Sequence, residues 1–278
     1  MITRVTFLAL YCLILSSFTA DAQLDVMTYN LRYATESDGE NAWSKRKADV
    51  AALIRNYHPS VLGVQEAVHE QMAYLDSTFT EYAYVGVGRD DGATGGEYSA
   101  IFYDSTQLRC IASETFWLSE TPSEPSYGWG ANYRRICTYV SFIVRSHGDT
   151  IHVFNAHFDH EVELARLNGA QVILDKVTAK HLLNSQVVVM GDFNCTASDP
   201  PMQLFNSKFA FGADVSLTSC YGPKSTFSGF EELQEGKTLD HILLRNLDVV
   251  KYRHIDDRRP NGLWPSDHLP VTATLRKP

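Results

Sequence analysis

The sequence predicts an α/β fold in which two packed β-sheets are covered by helices. Segments with apolar residues at the i, i+3, i+4, i+7 spacing of an amphipathic helix are separated by runs of predicted strands. Most of these strands are apolar enough to be buried. The chain is 44 % hydrophobic and 21 % charged, which is ordinary for a globular protein. Since it has no linker, repeat or low-complexity run, residues 23–278 are expected to form one domain.

Residues 1–22 predict a cleaved secretory signal peptide. Arg4 precedes an apolar run over residues 5–15, and Ala20 and Ala22 supply the small residues that a signal peptidase requires. The run is too short to span a bilayer as a stable helix, which argues against the alternative, an uncleaved anchor. We therefore expect a secreted or periplasmic protein, monomeric and without a transmembrane segment.

Four cysteines follow the signal peptide, and export permits disulfides between them. Their wide spacing does not match a zinc knuckle, and three pairings are formally possible. A domain of this size does not need disulfides to hold its core, so reduced cysteines and one or two disulfides are both open. The four are Cys110, Cys137, Cys195 and Cys220.

The net charge of −9 bears on the partners of the protein. A protein that holds duplex nucleic acid by neutralising many phosphates is usually basic. This chain would repel a polyanion unless cations intervene. We therefore expect part of the acidic side chains to surround a bound divalent metal ion.

The first third of the chain predicts two strands and two helices. Residues 24–29 form the first strand. The first helix is expected between Asn41, as its N-cap, and Pro59, with an apolar face formed by Val50, Leu53, Ile54 and Tyr57. The run "SVLGVQE" predicts a short buried strand, and the following helix has an apolar face formed by Val68, Met72, Leu75 and Phe79.

The rest of the chain predicts mainly strands. They are expected near residues 82–87, 99–103, 136–144 and 150–157, and at "VVVMGDFN", "TLDHILL" and "PVTATL". One long helix interrupts them, with an apolar face formed by Ala170, Ile173, Leu174, Val177 and His181.

Polar side chains stand at or next to the ends of most predicted strands. Rigid strands can direct several side chains at one point, so functional sites of α/β folds are built there. Each residue alone is weak evidence for a functional site. Asn30 could simply cap a turn. A carboxylate that follows an apolar strand, such as Glu66, is energetically costly to bury unless it is paired or metal-bound. The full set is Asn30, Glu66, Asn155, His157, Asp192, Asn194, Asp240, Asp267 and His268.

Two of these strands carry their polar residues at the period of a β-strand. Asn155 and His157 lie on one face of "IHVFNAH", and Asp192 and Asn194 lie on one face of "MGDFN". Gly191 leaves room for a close approach of the backbone to a ligand.

Six motifs, in the order "TYN", "GVQE", "NAH", "GDFN", "LDHI" and "SDH", resemble the endonuclease/exonuclease/phosphatase superfamily with its deoxyribonuclease I-like fold. The resemblance extends from Asn30 to His268. It implies a four-layer α/β sandwich, with two packed mixed β-sheets flanked by helices, and cleavage of phosphate esters that depends on Mg²⁺, for which Mn²⁺ can substitute.

The same resemblance implies roles for single residues. Glu66 resembles the principal metal ligand, with Asn30 and Asp267 completing the metal surroundings. His268 resembles the catalytic histidine and Asp240 the carboxylate that orients it. The remaining catalytic candidates are Asp192 and Asn194, which resemble the pair that handles the attacking water and the phosphate, and His157, which resembles a second histidine found in many branches.

Other candidates are supported less well. Asn155, Tyr98 and Arg135 are candidates for substrate binding, although a strand-end arginine is commonly an ordinary surface charge. His160 and Arg166 are expected to pair locally, and packing is expected for Trp43, Trp117 and Trp129. Residues 119–135, "SETPSEPSYGWGANYRR", predict a long loop beside the site, and such loops usually set substrate choice.

The expected activity is nuclease-like hydrolysis of phosphodiester or phosphomonoester bonds, on nucleic acid, nucleotide or phospholipid head group. A sphingomyelinase or an inositol-phosphate phosphatase is the alternative, because these enzymes share nearly the same catalytic core. A binding module without activity is a third reading, against which the intact motif set argues. The stretches "GENAWSKRK" and "FDHEVELAR" are similar to secreted and periplasmic bacterial members.

Overall fold

Two six-stranded β-sheets form the centre of the protein. A computed structural model describes residues 23–278. Strands are numbered along the chain. Sheet 1 contains, in spatial order, β11 (Asp248–His254), β12 (Val271–Arg276), β1 (Leu24–Asn30), β2 (Val61–Gln65), β4 (Ile101–Asp104) and β3 (Tyr82–Val85). Sheet 2 contains β5 (Leu108–Trp117), β6 (Ile136–Val144), β7 (Thr150–His157), β8 (Gln186–Asp192), β10 (Asp240–Arg245) and β9 (Ala210–Phe211).

Helices cover the outer face of each sheet. The helices α1 (Trp43–Tyr57) and α2 (His69–Thr78) pack on sheet 1, while α3 (Glu163–Ala179) and α4 (Pro200–Asn206) pack on sheet 2. A one-turn helix, α5, spans Gly212–Val215, and short 3-10 helices span Glu36–Asn41 and Leu182–Asn184.

Three hydrophobic layers hold these elements together. In β8, Val187 and Val189 face the core beneath α3 and α4, whereas Val188 and Met190 face the core between the two sheets. This period of two lets one strand contribute to two cores, which explains why β8 is apolar along most of its length. The third core lies between sheet 1 and its helices. The prediction of a four-layer sandwich of two mixed sheets is confirmed.

The topology brings several strand ends to one edge of the sandwich. The pairs β1–β2 and β7–β8 are parallel, so their carboxyl ends lie together. The strands β10 and β12 run antiparallel to β8 and β1, and their amino ends lie at the same edge. Asp192 is therefore opposite both His157 and Asp240 in the ladder of sheet 2.

A buried amide group connects the two sheets behind this edge. Asn155 of β7 donates from Nδ2 to the carbonyl oxygens of Val64 (3.0 Å) and Ala100 (2.8 Å), and its Oδ1 accepts from Gln65 Nε2 at 2.6 Å. Gly63 makes room for it, because a Cβ there would lie 2.7 Å from Asn155 Oδ1. The expectation that Asn155 binds substrate is wrong: its amide is fully buried and its hydrogen bonds join the sheets.

The structure corrects several predicted elements. The helix α1 is preceded by Ala42, whereas Asn41 ends the neighbouring 3-10 helix. His181 lies beyond the end of α3 and is exposed. The strands β5, β9 and β11 were not predicted, and all three are edge strands of their sheets. An edge strand contacts fewer neighbours, so polar residues interrupt its apolar pattern, as in β5.

The structure shows which cysteines and tryptophans are buried and whether the cysteines form disulfides. The four cysteines are all free, and Cys137 and Cys195 are buried. Trp43 and Trp117 are buried, as the packing interpretation requires. The predicted signal peptide lies outside the described residues. Among residues 23–278, no helix combines the length and apolar character needed to cross a membrane.

We predict that Asn155→Ala destabilises the protein by about 3 kcal/mol, because it removes the three buried hydrogen bonds that join the two sheets. Urea unfolding of the two proteins measures this difference. The exposed Asn206→Ala variant is the matched control and should stay within about 0.5 kcal/mol of the wild type. An Asn155→Ala variant as stable as that control would contradict the structural role.

Candidate active site

A cavity of about 410 Å³ opens at the edge where the strand ends converge. Seven of the eleven residues singled out from the sequence line it: Glu66, Arg135, His157, Asp192, Asn194, Asp267 and His268. Two more, Asn30 and Asp240, lie directly behind these and contact them. Tyr98 and Asn155 do neither.

The Asn30 side chain joins the two sheets at the cavity. Its Nδ2 donates to Glu66 Oε1 at 3.0 Å and to Asp192 Oδ2 at 2.8 Å, while its Oδ1 accepts from the backbone N–H of Arg32 at 2.9 Å. The amide oxygen is therefore engaged by the backbone. This orientation makes Asn30 a holder of two carboxylates rather than the direct metal ligand expected from the sequence.

Sharp turns after the strands direct the side chains into the cavity. Arg32, Glu66 and Asn194 adopt left-handed backbone conformations, with φ of 54°, 62° and 48°. Asparagine tolerates this region, whereas glutamate and arginine adopt it at a cost. The Glu66 turn is held by a hydrogen bond from the backbone N–H of Tyr33 to Oε2, at 3.1 Å. The strained backbone conformation of Glu66 thus places its carboxylate at the cavity.

A second support comes from the buried Arg46 of α1. Its guanidinium donates to the carbonyl oxygens of Leu31 (2.6 Å), Arg32 (2.7 Å) and Pro265 (3.1 Å). These carbonyls belong to the segments that follow Asn30 and precede Asp267. No feature of the sequence indicates this role, because an arginine within a helical pattern gives no sign of being buried.

His268 is positioned to carry a positive charge. Its Nδ1 lies 2.8 Å from Asp240 Oδ2, and its Nε2 lies 3.6 Å from Asp192 Oδ2. Burial lowers the pKa of His268, but the Asp240 and Asp192 carboxylates outweigh it and hold the pKa well above its usual value. The imidazolium form is favoured, with Nδ1–H bonded to Asp240 and Nε2–H left for the cavity.

Asp192 stands between two histidines. Its Oδ1 accepts from the Asn194 backbone N–H at 2.9 Å, and its Oδ2 lies 3.6 Å from both His157 Nε2 and His268 Nε2. Burial raises the pKa of Asp192 to about 7, with the His268 charge opposing and the Asp240 charge adding to the shift. A carboxylate with a pKa near neutrality can accept a proton from a reacting group.

His157, unlike His268, favours the neutral form. Burial lowers its pKa well below the usual value, and the nearby charges of Arg135 and Arg89 lower it further. Arg135 Nη1 lies 3.2 Å from both ring nitrogens, and Arg135 Nη2 lies 2.7 Å from His160 Nδ1. Arg135 thus lies at the cavity between two imidazole rings. His160 pairs locally, as expected, and also lines the cavity.

Within residues 23–278, two cavity carboxylates have no ion-pair partner. Glu66 accepts from Asn30 and the Tyr33 N–H, and the one hydrogen bond of the Asp267 carboxylate in this part of the chain is a long one, 3.4 Å, from Ser266 Oγ. Burial raises the pKa of Asp267 to about 6, and the Glu66 charge adds to this shift. Like charges placed together are stabilised by a cation, and oxygen donors suit a hard divalent ion.

Ligand atoms of Glu66, His157 and Asp192 also lie within 4.8 Å of one another. The guanidinium of Arg135 next to His157 disfavours a cation on that side. The oxygen side, formed by Glu66 and Asp267, therefore fits a divalent metal ion best.

Arg89, Glu97 and Tyr133 form one wall of the cavity, and none of them was predicted as a site residue from the sequence. Arg89 and Glu97 form a bidentate ion pair, with distances of 2.7 and 2.9 Å. They stand in a glycine-rich hairpin, whose only sign in the sequence is its turn composition. The neighbouring Tyr98, expected at the site, does not line the cavity, and its hydroxyl donates to the Ala93 carbonyl. Arg32, Tyr33 and Phe227 complete the lining that was missed.

Comparison with known proteins agrees with this architecture. Residues 27–268 match the model of the Endonuclease/Exonuclease/phosphatase family. The structure is similar to that of an endonuclease/exonuclease/phosphatase from Bacteroides vulgatus, with 31 % identity, a TM-score of 0.88 and coverage of 92 % of this chain and 100 % of the other. It is also similar to a mannosyl-6-phosphatase from Bacteroides thetaiotaomicron VPI-5482, with 32 % identity, a TM-score of 0.85 and coverage of 91 % and 99 %.

A curated relative, an uncharacterized protein of Acanthamoeba polyphaga mimivirus, is 26 % identical over 251 residues, which cover 82 % of this chain and 90 % of that protein. The family match spans all six motifs that carry the sequence resemblance, and it confirms that resemblance. The chain belongs to the endonuclease/exonuclease/phosphatase family.

Proposed function

We propose that this protein hydrolyses a small phosphate ester with the help of Mg²⁺, for which Mn²⁺ can substitute. The observation that carries this proposal is the position of Asp192, bonded to Asn30 and 3.6 Å from two histidines of opposite charge preference. Phosphoryl transfer to water requires charge neutralisation, an activated water and stabilisation of the phosphoryl oxygens. The cavity offers groups suited to each task.

Glu66 and Asp267 would hold the metal ion, since among residues 23–278 they are the cavity-lining carboxylates without an ion-pair partner. When bound, the ion would neutralise phosphate charge and act as a Lewis acid. Asn30 would keep Glu66 and Asp192 in register with each other through its two hydrogen bonds.

Side chains of the protein would donate and accept the protons of the reaction. His268, held as imidazolium by Asp240, would donate from Nε2–H to a phosphoryl oxygen. Asp192 would accept the proton of the attacking water. Asn194, whose Nδ2 donates to the Phe158 carbonyl at 3.1 Å, would orient that water through its amide oxygen.

Neutral His157 and cationic Arg135 would contact the phosphate on the other side of Asp192. Arg135 Nη1 already donates towards the His157 ring, and its planar guanidinium matches the geometry of a phosphate. This is the substrate-binding role expected for Arg135 from the sequence.

The cavity favours a small substrate. A volume of about 410 Å³ is in the range of small-molecule pockets, and the net charge of −9 disfavours a nucleic acid. The similar Bacteroides mannosyl-6-phosphatase supports a phosphomonoester of a small hydroxylated compound. The nuclease-like diesterase expected from the sequence is the alternative. Export and a monomeric state are part of the proposal, on the basis of the sequence of residues 1–22 and of the soluble-domain composition.

We predict that p-nitrophenyl phosphate is hydrolysed in Mg²⁺ and not in excess EDTA. The variant His268→Ala should lower kcat roughly 10²- to 10⁴-fold, because it removes the donor to the phosphoryl oxygen. Its Tm should fall, because the buried Asp240 carboxylate loses its partner, so kcat is compared below the unfolding transition of the variant. The exposed His147→Ala variant is the control. Full activity in EDTA, or normal turnover by His268→Ala, would contradict the proposal. Faster hydrolysis of bis(p-nitrophenyl) phosphate would favour the diesterase instead.

We predict that Asp240→Asn shifts the basic limb of the kcat–pH profile to lower pH by about one unit or more. The Asp240 charge raises the pKa of His268, so the imidazolium is present below that raised pKa and is lost as pH rises through it. Removing the charge lowers the pKa, so activity is lost at lower pH. Exposed Asp76→Asn should leave the profile unchanged. A basic limb that does not move in Asp240→Asn would show that His268 is not the acid.

We predict that Glu66→Gln raises the Mg²⁺ concentration for half-maximal activity and abolishes the increase in Tm that Mg²⁺ gives the wild type. The Tm in EDTA should change little, since Glu66 has no ion-pair partner to leave uncompensated. Thermal melts with and without Mg²⁺ measure both effects, with exposed Glu70→Gln as the control. If the variant instead loses about 3–5 kcal/mol in EDTA yet gains as much from Mg²⁺ as the wild type, Glu66 is a structural charge.

A further inference from the structure

We propose that Arg89, Glu97 and Tyr133 form a subsite that recognises a polyhydroxylated leaving group, such as a sugar, next to the phosphate site. This inference rests on the proposed function, because it assigns the leaving-group side of the same cavity. The three residues line the cavity on the side of His157, and Glu97 Oε2 lies 3.8 Å from His157 Nδ1. The subsite thus lies directly next to His157, one of the residues proposed to contact the phosphate.

The Arg89–Glu97 pair offers hydrogen-bond donors and acceptors side by side. Nη1 and Nη2 of Arg89 bond to the two carboxylate oxygens of Glu97 at 2.7 and 2.9 Å. The side chains are 11 % and 18 % exposed, so both remain accessible from the cavity. Each carboxylate oxygen has further lone pairs, and the guanidinium has further N–H groups. A pair of neighbouring hydroxyls, each of which both donates and accepts, is the ligand that matches such a set.

A second phosphate fits this wall less well. Arg89 is paired with the Glu97 carboxyl group, and Arg135 is engaged by Asp159 Oδ2 at 3.4 Å and by two histidines. An anion placed against Arg89 would also approach the Glu97 carboxylate. Neutral hydroxyls avoid this repulsion.

Tyr133 adds an apolar face to the subsite. Its side chain is 46 % exposed, although it lines the cavity. The ring is fixed by the guanidinium groups of Arg89 and Arg135, at 5.5 and 5.9 Å from its centroid, and by the His160 ring at 5.7 Å. An aromatic face that is both exposed and fixed is suited to packing against the C–H face of a sugar ring.

The backbone that carries the ion pair is held rigidly. The Arg89 N–H donates to the Glu97 carbonyl at 3.0 Å, and the Arg89 carbonyl accepts from the buried Trp117 Nε1 at 2.8 Å. The hairpin closes tightly, since a Cβ on Gly88 would lie 2.2 Å from the Gly95 carbonyl oxygen. A site fixed before its ligand arrives loses less conformational entropy on binding.

The test compares two esters with the same kind of primary-alcohol leaving group, mannose 6-phosphate and n-hexyl phosphate, with glucose 6-phosphate as a second sugar. We expect wild-type protein in Mg²⁺ to prefer a hexose 6-phosphate over n-hexyl phosphate by about tenfold or more in kcat/KM. Glu97→Gln should lower this ratio about tenfold, as for one charge-assisted hydrogen bond, and Tyr133→Ala should lower it about fivefold.

Two control variants accompany the test. Tyr127→Ala removes a tyrosine of similar exposure from the same loop but outside the cavity lining, and Asp248→Asn breaks a surface ion pair with Arg276. Both should leave the ratio unchanged. Tm values identify any variant that fails to fold, and Tyr133→Ala alone then decides, because its side chain is largely exposed.

A wild-type ratio near one for both sugars, or a ratio that neither Glu97→Gln nor Tyr133→Ala changes, would overturn the subsite while leaving phosphoester hydrolysis intact. Failure of the wild type to release phosphate from any of these esters or from p-nitrophenyl phosphate in Mg²⁺ would contradict the proposed function itself, and the subsite with it.

Discussion

The hydrogen bonds from Asn30 Nδ2 to Glu66 and Asp192 are the contacts on which the site depends. Asn30 ends a strand of sheet 1, Glu66 follows the parallel neighbour of that strand, and Asp192 ends a strand of sheet 2. The amide therefore fixes the relative position of the two sheets where it matters for chemistry. Behind it, the Asn155 amide fixes them again with three further hydrogen bonds. Sheet packing alone is nondirectional, so these amides specify the alignment that hydrophobic contact leaves free.

The two histidines show how neighbouring charges decide the role of similar groups. Burial lowers the pKa of His157 and of His268 alike. His268 stands against Asp240 and Asp192, whose charges outweigh burial, whereas His157 stands near two arginines that add to it. The same edge of the sandwich thus holds His268, a cationic donor, and His157, a neutral acceptor, with Asp192 between them. Paired groups with opposite protonation are what acid–base chemistry at neutral pH requires.

The sequence predicts the fold and the strand-borne part of the site because both follow from periodicity and from polar residues at strand ends. Residues such as Glu66, Asp192 and His268 are conspicuous where a strand meets the cavity. The same reasoning misassigned Asn155, since a buried amide that links two sheets has the same strand-end position as a functional one. Arg89, Glu97 and Tyr133 come from loops, whose conformation depends on contacts such as that between Trp117 and the Arg89 carbonyl, which no local pattern encodes.

We propose that Glu66 and Asp267, both next to strand ends of sheet 1, hold a divalent cation beside Asp192 of sheet 2. Anomalous scattering from crystals soaked in Mn²⁺ tests this placement most directly, because the signal locates the ion without assuming an activity. We expect one strong anomalous peak within coordination distance of the Glu66 carboxylate, on the side facing Asp267. A peak in the group formed by Asp192, Asp240 and His268, or no peak at Glu66 in a well-ordered crystal, would contradict this account.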